Sequence, residues 1–300
     1  MPPPEANVPP APPRTIQLRD GRTLGYAEYG DPGGLPVMFF HGLPGSYVLG
    51  RVTEAPGRRV GARVIAPERP GCGVSTFKAD RTIGAWPSDV IELADALGIE
   101  KFAVVGFSAG GPYADACALK IPERLTRAAL VCGMGPPESM DEAHGMRLEY
   151  RLGFVIGRQF PWAAEQIWAM AGAFFRDWRA RFAWKWDIEL SPADKEALAS
   201  TDLPGLLVDD IMESFRSGSR GPSLEALLLT RDWDFRLEDI SMHIRLWQAE
   251  LDTSVPAGMA HHQARRLPNC ELILCPGEGH FSMLARRMDE VLEYAVEVPA

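Results

Sequence analysis

No uninterrupted apolar stretch of 18 residues occurs in this 300-residue chain, so no transmembrane helix is expected. Nor is there a run of Lys or Arg. The net charge is −9 and the charges are interspersed, which argues against nucleic acid and anionic membrane surfaces as partners. Paired cysteines are missing as well. Cys72, Cys117, Cys132, Cys270 and Cys275 are scattered, odd in number and without a CxxC spacing, a pattern that reads as free thiols in a reducing, cytoplasmic setting. Cys132 and Cys275 sit in strand-like runs and read as core residues. His144, His243, His261 and His262 lack metal-ligand spacing with nearby carboxylates or cysteines, so no metal is expected. Residues 1–13 hold seven prolines and no apolar h-region, which reads as a Pro-rich arm and not a standard secretory signal.

What is present is a large buried core. Hydrophobic residues make up 46% of the chain, enough for one large α/β domain with an inserted subdomain. Thr15–Leu18 and Thr23–Tyr29 flank Arg19-Asp20-Gly21-Arg22, a hairpin signal. Val37–Phe40 and Arg63–Ala66 are short apolar strands of the kind a parallel sheet buries on both faces. Ser88–Leu97 has helical periodicity and stops at Gly98. Phe102–Val105 and Arg127–Cys132 supply two more strands, with a helix-compatible stretch, Pro112–Leu119, between them.

Between about residues 135 and 240 the rhythm breaks. This block has no convincing strand, and it holds six of the eight tryptophans: Trp162, Trp168, Trp178, Trp184, Trp186 and Trp233. Trp168, Phe175, Trp178 and Phe182 recur on one helical face, which predicts a helical cap whose Trp168 and Trp178 line a substrate cleft or its own core. The strand–helix alternation then returns with Ile244–Ala249, Ala257–Arg266, Glu271–Cys275 and Met288–Val296. The pattern predicts a mostly parallel, eight-stranded sheet with helices on both faces. Residues 14–134 and 241–300 form its core domain, and 135–240 form the cap.

The chemistry-bearing motifs fall at strand ends. Gly106-Phe107-Ser108-Ala109-Gly110-Gly111 follows a buried strand and opens a helix, the context of a nucleophile elbow. A sharp turn holding Ser108 in a strained conformation brings neighbouring chain too close for a Cβ at 106 and 110. A serine hydroxyl needs an adjacent base that is oriented by a third group. His280, just past the last strand, is the base candidate. Asp252, in Leu251-Asp252-Thr253-Ser254-Val255-Pro256, is the acid candidate. An acid at 252 would equally suit a helix N-cap, as would Ser254, and Glu138 and Asp141 are reserve acids after an earlier strand. An oxyanion hole needs two backbone N–H groups. Ala109 follows the nucleophile, and Leu43 lies in His41-Gly42-Leu43-Pro44-Gly45, where Pro44 cannot donate. His41 is read as neutral and as orienting that loop.

With these motifs and Arg69-Pro70-Gly71-Cys72-Gly73-Val74-Ser75, in order from residue 15 to 296, the chain resembles the α/β-hydrolase superfamily in its cap-bearing, serine-nucleophile branch. The resemblance implies a Ser108, Asp252, His280 triad and a hydrolytic reaction without a metal or organic cofactor. It departs from the family pattern at Glu68, where Asp is common, and at Glu250, often Gly, beside the loop of Asp252. Serine at 108 argues against haloalkane dehalogenases and epoxide hydrolases. The reading is an esterase-like serine hydrolase acting on a small to medium apolar carboxylic ester. Its rivals are a carbon–carbon bond hydrolase, a perhydrolase and a ligand-binding receptor of the same fold.

Overall fold

The computed structural model describes residues 12–177 and 190–297. The hairpin signal becomes β1 (Arg14–Gln17) and β2 (Thr23–Gly30), paired antiparallel with Gln17 opposite Thr23. Next come β3 (Leu35–Phe40), α1 (Glu54–Val60), β4 (Ala62–Pro67), α2 (Trp86–Ala96), β5 (Phe102–Phe107), α3 (Gly111–Lys120) and β6 (Leu125–Val131). The helix expected to stop at Gly98 does so, because Gly98 takes a left-handed φ of 68° that closes the last turn. The chain returns to the sheet as β7 (Ile244–Ala249), α9 (Ala257–Arg266), β8 (Cys270–Cys275), α10 (His280–Arg286) and α11 (Met288–Val296). Between β6 and β7 lie α4 (Leu148–Gln159), α5 (Pro161–Asp177), α6 (Pro192–Ser200), α7 (Leu203–Ser214) and α8 (Arg220–Thr230), with no strand among the described residues.

One eight-stranded sheet runs in the order β1-β2-β4-β3-β5-β6-β7-β8. β2 pairs antiparallel with both β1 and β4, and every other neighbouring pair, β4 with β3 included, is parallel. Every residue of β5 is buried. Phe102 and Val104 face the core under α2, α3 and α9, whereas Ala103, Val105 and Phe107 face the core under α1 and α11. This is the period-2 alternation of a strand covered on both faces. Because β3, β5, β6, β7 and β8 are parallel, their carboxyl ends share one edge of the sheet, where ligand sites of such folds form.

The inserted helices meet this edge through α6, which packs on α10, and through α7, which packs on the segment Tyr47–Thr53. α4 and α5 carry the outer surface and leave Leu148, Trp162 and Met170 exposed. Trp168 is half-buried, stacked at 6.1 Å on the fully buried Phe215. Trp178, Phe182, Trp184 and Trp186 lie outside the described residues. Trp233, grouped by sequence with the insertion, packs against the sheet core beside Phe235.

Candidate active site

β5 ends at Phe107, and Ser108 has a φ of 53°. A side chain rarely adopts this left-handed conformation, and it persists only where the surroundings enforce it. Here the enforcement is steric. A Cβ on Gly106 would lie 2.5 Å from the Gly110 carbonyl oxygen, and one on Gly110 would fall onto the Phe40 carbonyl oxygen. The Ser108 carbonyl accepts a hydrogen bond from Met134 N at 2.9 Å, which ties the elbow to the segment after β6.

His280 is 5% exposed and its ring lies 4.8 Å, centroid to centroid, from Phe107, the residue before Ser108. Expected just past the last strand, His280 follows β8 and is the first residue of α10. Its Nδ1 is 2.7 Å from Asp252 Oδ2, and both groups are buried. Asp252 Oδ1 accepts hydrogen bonds from Ser254 N at 2.7 Å and Val255 N at 2.8 Å. The turn-holding and histidine-facing readings of Asp252 therefore both describe it, one for each oxygen. It is not a helix N-cap, since α9 starts at Ala257 behind Pro256. Glu138 and Asp141 are exposed, and neither contacts His280. Glu250, the departure beside this loop, is exposed and its carboxylate accepts from Gly277 N at 3.4 Å.

After β3, Gly42 lies over the elbow: a Cβ there would sit 3.4 Å from Ser108 Cβ. Leu43 is half-buried next to it, and Ala109 is buried. Arg69 holds the loop from below. Its guanidinium donates to the His41 and Gly42 carbonyls, at 2.8 Å each, and approaches His41 Nδ1 at 3.0 Å. Burial, helped by the Arg69 charge, pushes the His41 pKa well below its ordinary value, so the ring is neutral. Glu68 fills the space left by Gly25 and Gly73 and accepts from Val74 N at 2.8 Å; burial raises its pKa to about 8.

Four neighbours of the site had no sequence signal. Cys132, read as a strand residue, instead lies just past the end of β6 with a φ of 47°. Its Sγ, an Asp252 oxygen and a His280 ring nitrogen lie within 4.8 Å of one another. Burial and the adjacent Asp252 push its thiol well above the ordinary range. The other three are carboxylates of the inserted helices. Glu225 of α8 pairs with Arg69 and with Arg81 at 2.5 Å each; burial pushes its pKa up, but the two guanidiniums outweigh that and hold it below the ordinary value. Asp210 of α7 accepts from Ser46 N and Oγ at 2.7 Å each and from Leu49 N at 3.1 Å. Asp194 of α6 accepts from Phe281 N and Ser282 N at 2.8 Å each. In sequence all three look like the solvated acids of amphipathic helices. A cavity of about 350 Å³, lined by Pro136, Glu138, Trp233, Phe235, Glu238 and Arg266, involves none of Ser108, Asp252 and His280.

A serine on a strained strand-to-helix turn, with a buried Asp–His pair at the same sheet edge, defines a hydrolase of the α/β class. The chain belongs to the alpha/beta hydrolase fold family, whose model matches residues 36–286. It is 26% identical over 282 residues to the uncharacterized hydrolase YcgS of Bacillus subtilis (strain 168), covering 90% of this chain and 93% of that one. It is 36% identical over 109 residues to a 2-hydroxymuconate semialdehyde hydrolase of Pseudomonas putida, covering 34% and 37% of the two chains. Its fold is similar to the crystal structure of the enol-lactonase from Burkholderia xenovorans LB400, with a TM-score of 0.67 at 18% identity, covering 95% of this chain and 100% of that one.

Proposed function

We propose that the chain is a serine hydrolase that cleaves a small to medium apolar carboxylic ester through an acyl-enzyme. The observation that carries this reading is the buried 2.7 Å contact of His280 Nδ1 with Asp252, whose histidine ring packs on Phe107 at the elbow of Ser108. With Nδ1 engaged by a carboxylate, Nε2 of the neutral ring is the free lone pair, the form a general base requires. Ser108 Oγ attacks the ester carbonyl and its proton passes to His280 Nε2. Asp252 stabilises the imidazolium that results. The N–H groups of Leu43 and Ala109 receive the oxyanion. Collapse breaks the acyl–oxygen bond, and His280 returns the proton to the departing alcohol. Water then repeats the sequence on the acyl-enzyme, releasing the acid and free Ser108. The inserted helices act as a cap over this edge, and the partner is a small molecule, not a nucleic acid or a membrane.

The likeness to a 2-hydroxymuconate semialdehyde hydrolase favours one second reading, a carbon–carbon bond hydrolase working with the same three residues. A fluorophosphonate probe tests the nucleophile whatever the substrate. Wild-type protein is expected to label at Ser108, and Ser108→Ala to lose both labelling and ester hydrolysis while retaining its melting temperature. Turnover by the alanine variant near that of wild type would remove the assignment. Parallel panels of esters and diketones then separate the two readings, and labelling without turnover on either marks a receptor.

A further inference from the structure

We propose that three buried carboxylates of the inserted helices, Glu225, Asp210 and Asp194, are positioning residues that each hold one catalytic segment in place. The proposal rests on the serine-hydrolase reading and extends it: the insertion would be a working part of the site and not only its cover. All three side chains are at most 2% exposed. Burying a carboxylate is costly unless strong partners compensate, and these three find their partners on the sheet domain, next to the reacting groups.

The Glu225 connection runs through Arg69. The carboxylate sits between the guanidiniums of Arg69 and Arg81, and Arg69 in turn grips the carbonyl oxygens of His41 and Gly42. A trans peptide sets its N–H opposite its C=O. Fixing the Gly42 carbonyl therefore fixes the direction of the Leu43 N–H, one of the two proposed oxyanion donors. Asp210 secures the same loop further on by taking three hydrogen bonds from Ser46 and Leu49. Asp194 acts on the base. It takes the N–H groups of Phe281 and Ser282, the two residues after His280, at the first turn of α10. Ser191 and Asp194 fill the space where Gly279 has no Cβ, so α6 seats directly on the turn that presents His280.

Apolar contacts could attach the insertion to the sheet equally firmly. Directional bonds to backbone at these particular loops add something else, since a donor misplaced by part of an ångström loses transition-state stabilisation without loss of substrate binding. A positioning role and a merely adhesive role therefore separate in the kinetics. Glu225→Gln and Asp194→Asn keep shape and remove charge. Measured well below each variant's melting temperature, both are expected to lower kcat and the rate of fluorophosphonate labelling at Ser108 by about 10-fold or more, with KM within twofold of wild type. Glu165→Gln, on the exposed side of α5, serves as the control and should change neither. If Glu225→Gln does not fold, because two arginines lose their shared partner, Asp194→Asn decides alone; it disturbs no ion pair of Arg69 or Arg81. Folded variants with kcat and labelling rate within twofold of wild type, and only a lower melting temperature, would overturn the proposal. Wild-type protein that fails to label at Ser108 would overturn the serine-nucleophile reading itself, a result that is distinct because it precedes any variant.

Discussion

At the scale of single residues, Cys132 is the most unexpected member of the site. A non-glycine residue at φ 47° is strained, and its thiol is directed at the Asp252–His280 pair. A carboxylate at 132 would therefore lie close to the His280 ring. Asp252→Asn is expected to lower kcat severely, by analogy with the roughly 10⁴-fold loss in serine proteases when the triad acid becomes an amide. Adding Cys132→Asp to that variant is expected to restore at least about tenfold of the lost activity, because an acid then again stands beside the imidazole. The measurement is kcat of the single and double variants at one pH. A double variant no better than Asp252→Asn would show that position 132 cannot orient the base.

The inserted helices raise the corresponding question at the scale of elements. Sequence offered two duties for the aromatic stripe that includes Trp168: lining the cleft or packing the insertion. Trp168 stacks on Phe215, which is fully buried, so packing describes its contact directly. Trp168→Ala is expected to cost about 2–4 kcal/mol, somewhat less than a fully buried Trp because the ring is only half-buried. The same variant should leave the preference for ester chain length unchanged. Thermal melts and an ester series on one protein sample check both parts. A shifted length optimum with unchanged stability would return Trp168 to the cleft.

For the whole molecule, the buried acids shape stability against pH. Asp115 on α3 is fully buried, and neither of its carboxylate oxygens has a hydrogen-bond partner among the described residues. Burial raises its pKa from 3.8 to about 8. Glu68 and Asp210 are raised in the same direction, to about 8 and about 7, chiefly by burial. The folded chain thus keeps protons that the unfolded chain releases above pH ~4, so this contribution to stability is greatest at low pH and falls as pH rises toward the folded values. Asp115→Asn removes its share. Relative to wild type, the variant is expected to be near neutral at pH 4 and increasingly more stable up to about pH 8. The gain is a few kcal/mol in all, accumulating at no more than ~1.4 kcal/mol for each step of one in pH, and it levels off above about pH 9. Melting temperatures across that range test the slope. A difference independent of pH would mean that Asp115 is ionised in the native state.

The sequence by itself determined the sheet, the elbow and the order of the site motifs. Strands such as Phe102–Phe107 are buried on both faces and so read as plain apolar runs, while Gly98 marks a left-handed φ at a helix end and Gly106 marks a turn whose own chain returns to within 2.5 Å at the Gly110 carbonyl oxygen. Those signals are local, set by a residue and its near neighbours along the chain. Only the tertiary structure decided which oxygen of Asp252 turns to His280, that Cys132 stands behind them, and that Asp194, Asp210 and Glu225 reach loops separated from them by 87 or more residues. An acid on an amphipathic helix is written the same way whether it faces water or a backbone N–H. Its partner is chosen by how the insertion seats on the sheet edge, a packing outcome that depends on many residues at once and leaves no pattern in the sequence around any one of them.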